Sequence, residues 1–288
     1  IGEAEHLLQA GEADGWWVSQ TFWSVATLHS KLPQLRKLIP ALLEMASFQS
    51  SYFAPLAVAN IIWGCAKLKL SRSELQSVLP DITNRAVDRA DCLEPQHLSN
   101  IIWSCAILQN DAPELLSIMP LMQEMVVERA DDMGQQETAN ILWSCARLQD
   151  RAPALLKTLP VLADLISQHV DDMIAQHVSN SIWAIASLKQ RPCLLHTLPA
   201  LMARAVKVCN HMNSQHLGNI FWASARLKNE APDMALQLPQ LLEEVERKAE
   251  RFNAQEIANT VWAVGSLQVE SSALRRVLQK RPAQAVRR

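Results

Sequence analysis

Glycine is scarce in this chain, at 7 of 288 residues, and tyrosine occurs only once. The sequence contains no Gly-rich phosphate loop and no G-x-S-x-G turn, as expected from so few glycines. It also contains no H-E-x-x-H metal motif. The acidic pairs Asp131-Asp132 and Asp171-Asp172 recur at the end of a predicted helix, where they are typical of turn and cap residues. The sequence therefore predicts a protein that is not an enzyme, with no catalytic residues and no cofactor.

Long apolar runs are also missing. None reaches the roughly 18 residues that span a bilayer, and no charged segment followed by an apolar one opens the chain. Apolar residues nevertheless make up 49% of the sequence, and β-branched runs are few. This composition favours helix throughout and predicts an all-α protein without strands or a transmembrane segment.

Tryptophan, in contrast, recurs at a fixed interval. Seven of the nine lie 40, 40, 40, 40, 39 and 40 residues apart, namely Trp23, Trp63, Trp103, Trp143, Trp183, Trp222 and Trp262. A period of this length indicates a unit that cannot close a core alone and stacks on its neighbours, with atypical terminal copies. The predicted fold is an α-solenoid of about seven helix-pair repeats with a 39–40-residue period.

Two further residues complete the constant frame of the repeat. Asn precedes Trp by three residues in six copies, at Asn60, Asn100, Asn140, Asn180, Asn219 and Asn259, and Gln lies four residues before the Asn in five of them. The first copy carries Gln20 in place of the Asn. We therefore divide one solenoid over residues 1–288 into a degenerate N-terminal capping repeat at 1–53, five regular repeats at 54–253, and a truncated last repeat with a basic tail at 254–288.

The third copy illustrates the expected helix pair. Helix A is predicted from Pro95 to Leu108, with the proline in the first turn, where its missing N–H costs nothing. Helix B contains a recurring proline, Pro120 in this copy, which removes a backbone hydrogen bond from a helix interior. Helix B should therefore kink there, or consist of a short turn followed by a main helix from about Pro120 to Ala130.

Helix A of this copy sorts into two arcs at 100° per residue. Leu98, Ile101 and Ile102 belong to the apolar arc, and the opposite arc carries the Gln, Asn and Trp together with two variable columns. Exchangeable side chains beside a constant residue are what a helical-repeat RNA reader presents to each base. The candidate RNA-binding residues of these columns are Lys67, His97, Glu137, Arg147, His177, His216, Arg226 and Glu256, and the tail adds Arg275 and Arg276.

The helix A pattern, [PA]Q-x-x-[SA]N-x-x-W-[SA]-x-A-x-L, resembles the octotricopeptide repeat family and its relatives among organellar RAP-domain proteins. AQEIANTVWAVGSL from Ala254 is the closest match, and the resemblance covers nearly the whole chain. It implies an α-solenoid of chloroplasts or mitochondria that binds single-stranded or ribosomal RNA. The implied roles are transcript processing or stability, translation, or ribosome assembly.

The charge distribution keeps a second interpretation open. The chain has 27 basic and 29 acidic residues, and six of the basic ones follow Ser271, so the body before the tail has a net charge of −8. Phosphate neutralisation supplies most non-specific affinity for nucleic acid. An acidic body therefore also fits an architectural subunit of a large organellar assembly, such as a ribosome or a membrane complex, that contacts mainly other proteins.

The columns themselves also have structural interpretations. The Asn column could form a hydrogen-bonded ladder, the Trp column could wedge between successive A helices, and the variable columns could be a solvated face. Cys65, Cys105 and Cys145 share one repeat position and resemble small buried groups. No metal site is expected, because the candidate histidines stand one per repeat, too far apart to share an ion.

Replacing Trp143 by Ala in a central repeat is expected to lower the free energy of unfolding by roughly 3–5 kcal/mol, because it empties a large packed volume between repeats. The same change at Trp23, in the capping repeat, should cost less. Thermal denaturation of the two variants measures the difference. Equal and negligible shifts would place the Trp column on a ligand face instead.

Overall fold

The computed structural model describes residues 14–267, and no strand occurs in this range. The A helices are α1 (Gly15–Leu28), α3 (Pro55–Leu68), α6 (Pro95–Leu108), α8 (Gln135–Leu148), α10 (Ala175–Ser187), α12 (Ser214–Arg226) and α14 (Ala254–Ser266). The B helices are α2 (Ile39–Gln49), α5 (Leu79–Asp88), α7 (Met119–Glu128), α9 (Leu159–His169), α11 (Leu198–Lys207) and α13 (Leu238–Arg247). The predicted bounds of helix A in the third copy are confirmed by α6.

Each B helix is preceded by a short, separate turn of helix. This turn is a 3-10 segment at Pro33–Leu38, Pro113–Ile118, Pro153–Thr158, Pro192–Thr197 and Pro232–Gln237, and the one-turn helix α4 (Arg72–Leu75) takes its place in the second repeat. Pro120 then occupies the first turn of α7, where no intrahelical bond to its nitrogen is required. Of the two arrangements expected for helix B, the short turn followed by a main helix is the one observed.

The described residues form two compact units. The first contains the chain through Met133 together with Arg147–Thr158, and the second contains Gly134–Ala146 together with the chain from Leu159 onward. In the first unit α1 packs on α3 and α3 on α6, and in the second α10 packs on α12 and α12 on α14. Such packing of each A helix on the next is that of a solenoid, so the predicted all-α solenoid of helix pairs is confirmed.

The B helices follow the same rule of neighbour on neighbour. Helix α7 packs on the 3-10 segment of the following repeat in the first unit, and α9 and α11 do so in the second. The division into a cap at 1–53 and a truncated last repeat at 254–288 stays a prediction, since both ranges extend outside the described residues.

The core consists of the inward-facing residues of the A helices and their B partners. Leu98, Ile101 and Ile102 have no exposed surface, and neither do Cys65 and Cys105. Burial raises the pKa of each of these two thiols to about 12. The thiols are therefore uncharged near neutral pH and pack as small apolar groups.

Basic side chains of the B helices hold successive repeats together. Arg85 Nε donates to the Phe53 carbonyl at 2.8 Å, and Arg204 Nε donates to the Met173 carbonyl at 2.8 Å. Both carbonyls lie where the previous repeat leaves its B helix through a 3-10 turn. Because such helix ends leave carbonyls without intrahelical partners, these cations serve the fold. The pairs Asp131-Asp132 and Asp171-Asp172 lie in the corresponding turns, as expected.

Packing between the first two repeats depends on a missing side chain. Gly64 stands where later repeats have Ser or Ala, and a Cβ there would lie 2.4 Å from the Cδ1 of buried Phe22. At Gly218, in contrast, the nearest atom to an added Cβ is 3.9 Å away. The glycine at 64 is therefore needed for the close approach of α1 to α3.

We expect Gly64→Ala to destabilise the protein by about 1–3 kcal/mol, because Phe22 must move out of a close-packed position. The matched change Gly218→Ala should stabilise it by up to about 1 kcal/mol, since alanine has the higher helix propensity. Circular dichroism during thermal denaturation compares the two. Shifts of the same sign and size would contradict the packing explanation.

Candidate functional site

A narrow stripe of four repeated positions lines the outward side of each A helix. In α6 these are Gln96, Asn100, Trp103 and Ile107, whose spacings of four, three and four residues place them on one face of the helix. Gln96 is exposed and the other three are half-buried. We call these positions in all A helices the A-helix stripe. Its fourth position is Lys67, Ile107, Arg147, Ser187, Arg226 and Ser266 in successive repeats.

Three pairs of neighbouring indole rings in the stripe lie close together, two of them stacked and one tilted. In the first unit the ring centroids of Trp23 and Trp63 are 6.3 Å apart, and in the second unit Trp183 lies 6.2 Å from Trp143 and 6.3 Å from Trp222. The planes are inclined by only 25–32°, as in offset-stacked aromatic pairs. Trp183 has an indole partner on both sides and is half-buried. This geometry agrees with the interpretation in which the Trp column packs between successive A helices.

The side-chain amides of the constant asparagines have no hydrogen-bond partner among the described residues of their own unit. Within each unit, no described residue forms a hydrogen bond with the side-chain amide of Asn60, Asn100, Asn140, Asn180, Asn219 or Asn259. The hydrogen bonds of these asparagines involve their main-chain carbonyls instead; for example, Ser104 Oγ donates to the Asn100 carbonyl at 2.6 Å. Within either unit, the described amides therefore form no hydrogen-bonded ladder. The asparagine is half-buried from the third repeat onward, whereas Asn60 of the second repeat is buried.

Cations occur at the fourth stripe position, next to the indoles. Lys67 Nζ lies 5.8 Å from the ring centroid of Trp63, and the guanidinium carbon of Arg226 lies 5.6 Å from that of Trp222. Arg226 Nε also donates to the Ala186 carbonyl at the end of α10, at 2.8 Å, which fixes its orientation. Arg147 is exposed at the same position of α8.

Acidic side chains avoid the stripe. No Asp or Glu occupies any of its four positions in α3, α6, α8, α10, α12 or α14. Exposed acids instead recur on the B helices, four residues after the recurring proline, at Glu44, Glu124, Asp164 and Glu243. The local charge of the stripe is therefore neutral or positive although the body of the chain is acidic.

The His/Glu column lies beside the stripe, at the helix N-termini. Nδ1 of His97 accepts from the Glu94 N–H at 3.2 Å, and Nδ1 of His216 accepts from the Asn213 N–H at 3.4 Å. Glu256 accepts in the same way from the Asn253 N–H, at 2.9 Å. These residues close capping boxes, in which the third helical residue bonds back to the residue before the helix.

The two other members of the column occupy the same turn. His177 is buried and its Nδ1 has no hydrogen-bond partner among the described residues, whereas Glu137 is half-buried. The sequence pattern Asn-x-x-His or Asn-x-x-Glu, at Asn213 and Asn253, is the signal that could have identified this capping role. Periodicity alone placed the column on the outward arc.

The remaining sequence predictions concern other parts of the chain. Arg275 and Arg276 lie outside the described residues. Across residues 14–267, no group of three or more His, Cys, Asp or Glu side chains could hold a metal ion. In the same range, no helix is both long and apolar enough to cross a membrane.

Comparison with known proteins gives a short match to a family model. A family model described as "Protein of unknown function (DUF1601)" matches residues 239–261. This range covers most of α13 and the first eight residues of α14, including Asn259. No curated protein matches the chain. The match therefore falls on the joint between a B helix and the next A helix and assigns no activity.

Burial lowers the pKa of His97, His177 and His216 below its usual value, with Lys248 adding to the effect at His216. Nearby Glu94 and Glu137 oppose it at the first two. The folded protein therefore binds fewer protons than the unfolded chain below about pH 6.5, and stability is lost as the pH falls from there through the folded pKa values.

We expect the melting temperature to drop between about pH 7.5 and 5.5, and the drop to be smaller when all three histidines are changed to Gln, which can still accept in a capping box. His196→Gln, at an exposed position, is the matched control and should leave the pH profile unchanged. Calorimetry at the two pH values measures the effect. A triple variant as acid-sensitive as the wild type would rule out these histidines as the cause.

Proposed function

We propose that this chain binds single-stranded or ribosomal RNA through the A-helix stripe. The observation that supports this most directly is the composition of the stripe: an indole and an amide in each repeat, a cation in three of them, and no acid. The amides have no partner within their units. A surface of this kind has donors, acceptors and positive charge to offer to a linear polyanion.

The chemistry of each stripe position indicates which part of the RNA it would contact. Lys67, Arg147 and Arg226 suit phosphate oxygens, whose contacts position a strand without reading its sequence. The amides suit polar groups of bases or sugars. Because neighbouring indoles face one another, as at Trp183, bases would lie along the stripe and stack on guanidinium planes.

The number of cations on the stripe determines how strongly we expect the chain to bind RNA. Several basic side chains of the body already bond to carbonyls of the neighbouring repeat, as Arg85 and Arg204 do. Three phosphate contacts to a single strand correspond to a decrease of about two in log K per log unit of salt. Binding should therefore be moderate and salt-sensitive.

The pattern of the repeats supports a wider proposal. Because six A helices carry Asn and Trp at the spacing of the octotricopeptide repeat pattern, we infer a relationship to those organellar proteins. The chain would then work in a chloroplast or mitochondrion, in transcript processing or stability, translation, or ribosome assembly, as a binding protein and not as an enzyme.

A second candidate function rests on the first repeat. Phe48 and Tyr52 are 83% and 85% exposed, and Trp16 is 67% exposed. The later repeats have polar or charged residues or cysteine at the positions of Phe48 and Tyr52, such as Glu128 and Asp132 in the third repeat. Exposed aromatic clusters mark protein contacts. This observation favours an architectural subunit of a large organellar assembly.

Changing Lys67, Arg147 and Arg226 together to Gln should weaken RNA binding and reduce the salt dependence by about two log units of K per log unit of salt, since three phosphate contacts are lost. The matched control changes Arg72, Lys157 and Lys207 to Gln. These three residues are exposed and lie outside the stripe, so their loss should affect RNA affinity and its salt dependence far less. Fluorescence anisotropy with a labelled randomised RNA pool at two salt concentrations makes the comparison.

The tail supplies the decisive control for this experiment. A peptide of residues 271–288 carries six basic residues and should bind RNA weakly by charge alone. If the whole chain binds RNA no better than this peptide, the stripe is not an RNA site, and a scaffold with protein ligands becomes the better account.

A further inference from the structure

The stripe separates constant positions from a variable one. From the third repeat onward the Gln, Asn and Trp positions keep their identity, whereas the fourth position is Ile107, Arg147, Ser187, Arg226 and Ser266. A side chain that is the same in every repeat can match only what is the same in every monomer of a bound polymer. In RNA the bases vary, and the constant groups are the phosphate and the ribose.

The amide distinguishes between these two constant groups. An Asn side chain carries one acceptor and two donors, whereas a phosphate has acceptors only, so an amide oxygen facing it would meet no donor. The ribose 2′-hydroxyl is both donor and acceptor and can satisfy both ends of an amide. Lys67 and Arg226 already provide the positive charge that a phosphate requires.

The surroundings of the asparagines favour a directed contact. Asn180 and Asn219 are half-buried, and each lies one helical turn before a tryptophan of the stacked set Trp143, Trp183 and Trp222. No described residue of the unit forms a hydrogen bond with either amide. Half-buried amides of this kind gain a full hydrogen bond from a matching ligand and lose it when the ligand group is missing.

Resting on the proposed function, we propose that the asparagine column recognises the ribose 2′-hydroxyl, one for each repeat that carries the Asn, and thereby distinguishes RNA from DNA whatever the base sequence. The variable fourth position then carries any base preference. An extended peptide also repeats a donor and an acceptor at each residue. The stripe has cations and no acid, however, which favours the polyanion.

The test uses the full chain and two variants. Asn180→Leu with Asn219→Leu removes two amides of the column, and Asn84→Leu, at an exposed position on α5, is the matched control. The probes are oligouridine, oligodeoxyuridine and 2′-O-methyl oligouridine of one length. The wild type should bind oligouridine more tightly than both other probes. The double variant should lose about tenfold of that preference, through weaker RNA binding alone, with its salt dependence unchanged.

The outcomes separate this inference from the proposed function. If the wild type binds all three probes equally, or if the double variant weakens RNA and DNA alike, the ribose contact is wrong while RNA binding stands. Because the wild-type comparison needs no substitution, it remains decisive even if the leucines lower stability. If the wild type binds none of the probes beyond what the tail peptide binds, the proposed function itself fails, and the amides are better matched to a polypeptide.

Discussion

Stacking of one A helix on the next within each unit is the interaction on which the rest of the molecule depends, because a single helix pair is too small to enclose a core of its own. Leu98, Ile101 and Ile102 have no exposed surface in the packed repeats. Phe22 shows how tight the fit is, since it occupies the space that a side chain at position 64 would need. The stacked indoles extend the same contact to the outer edge of the helix layer.

This mode of packing also determines how the polar residues are used. A solenoid leaves carbonyls at the end of every helix, and the chain places cations on the next repeat to bond to them. Arg85 and Arg204 are used in this way from the B helices, and Arg226 from an A helix. Arg226 lies over an indole as well, so one side chain contributes to the fold and to the charge of the stripe. Counting cations in the sequence therefore overestimates what a ligand can meet.

The sequence predicted much of the fold because the fold is periodic. The tryptophan interval gave the number and length of the repeats, and the prolines at the start of α6 and in α7 marked where helices begin. The candidate site was predicted less completely. Periodicity places His97 and Trp103 on one broad arc, but a third helical residue such as His97 turns back to its own N-terminus. Nor can a constant Asn reveal from sequence whether its amide is bonded, since a structural ladder and a ligand contact both keep a residue constant.

The two candidate functions do not compete for the same residues. The stripe offers amides and cations from α3 onward, whereas the exposed aromatic residues Phe48 and Tyr52 belong to the first repeat and have charged or polar counterparts in most later ones. A solenoid can keep such regions chemically separate because each repeat contacts only its neighbours, so a change in one copy leaves the others intact. Exposed aromatic residues in the first described repeat therefore leave the amides and cations of the later repeats unchanged. RNA binding and membership of a larger assembly are compatible properties of one such chain.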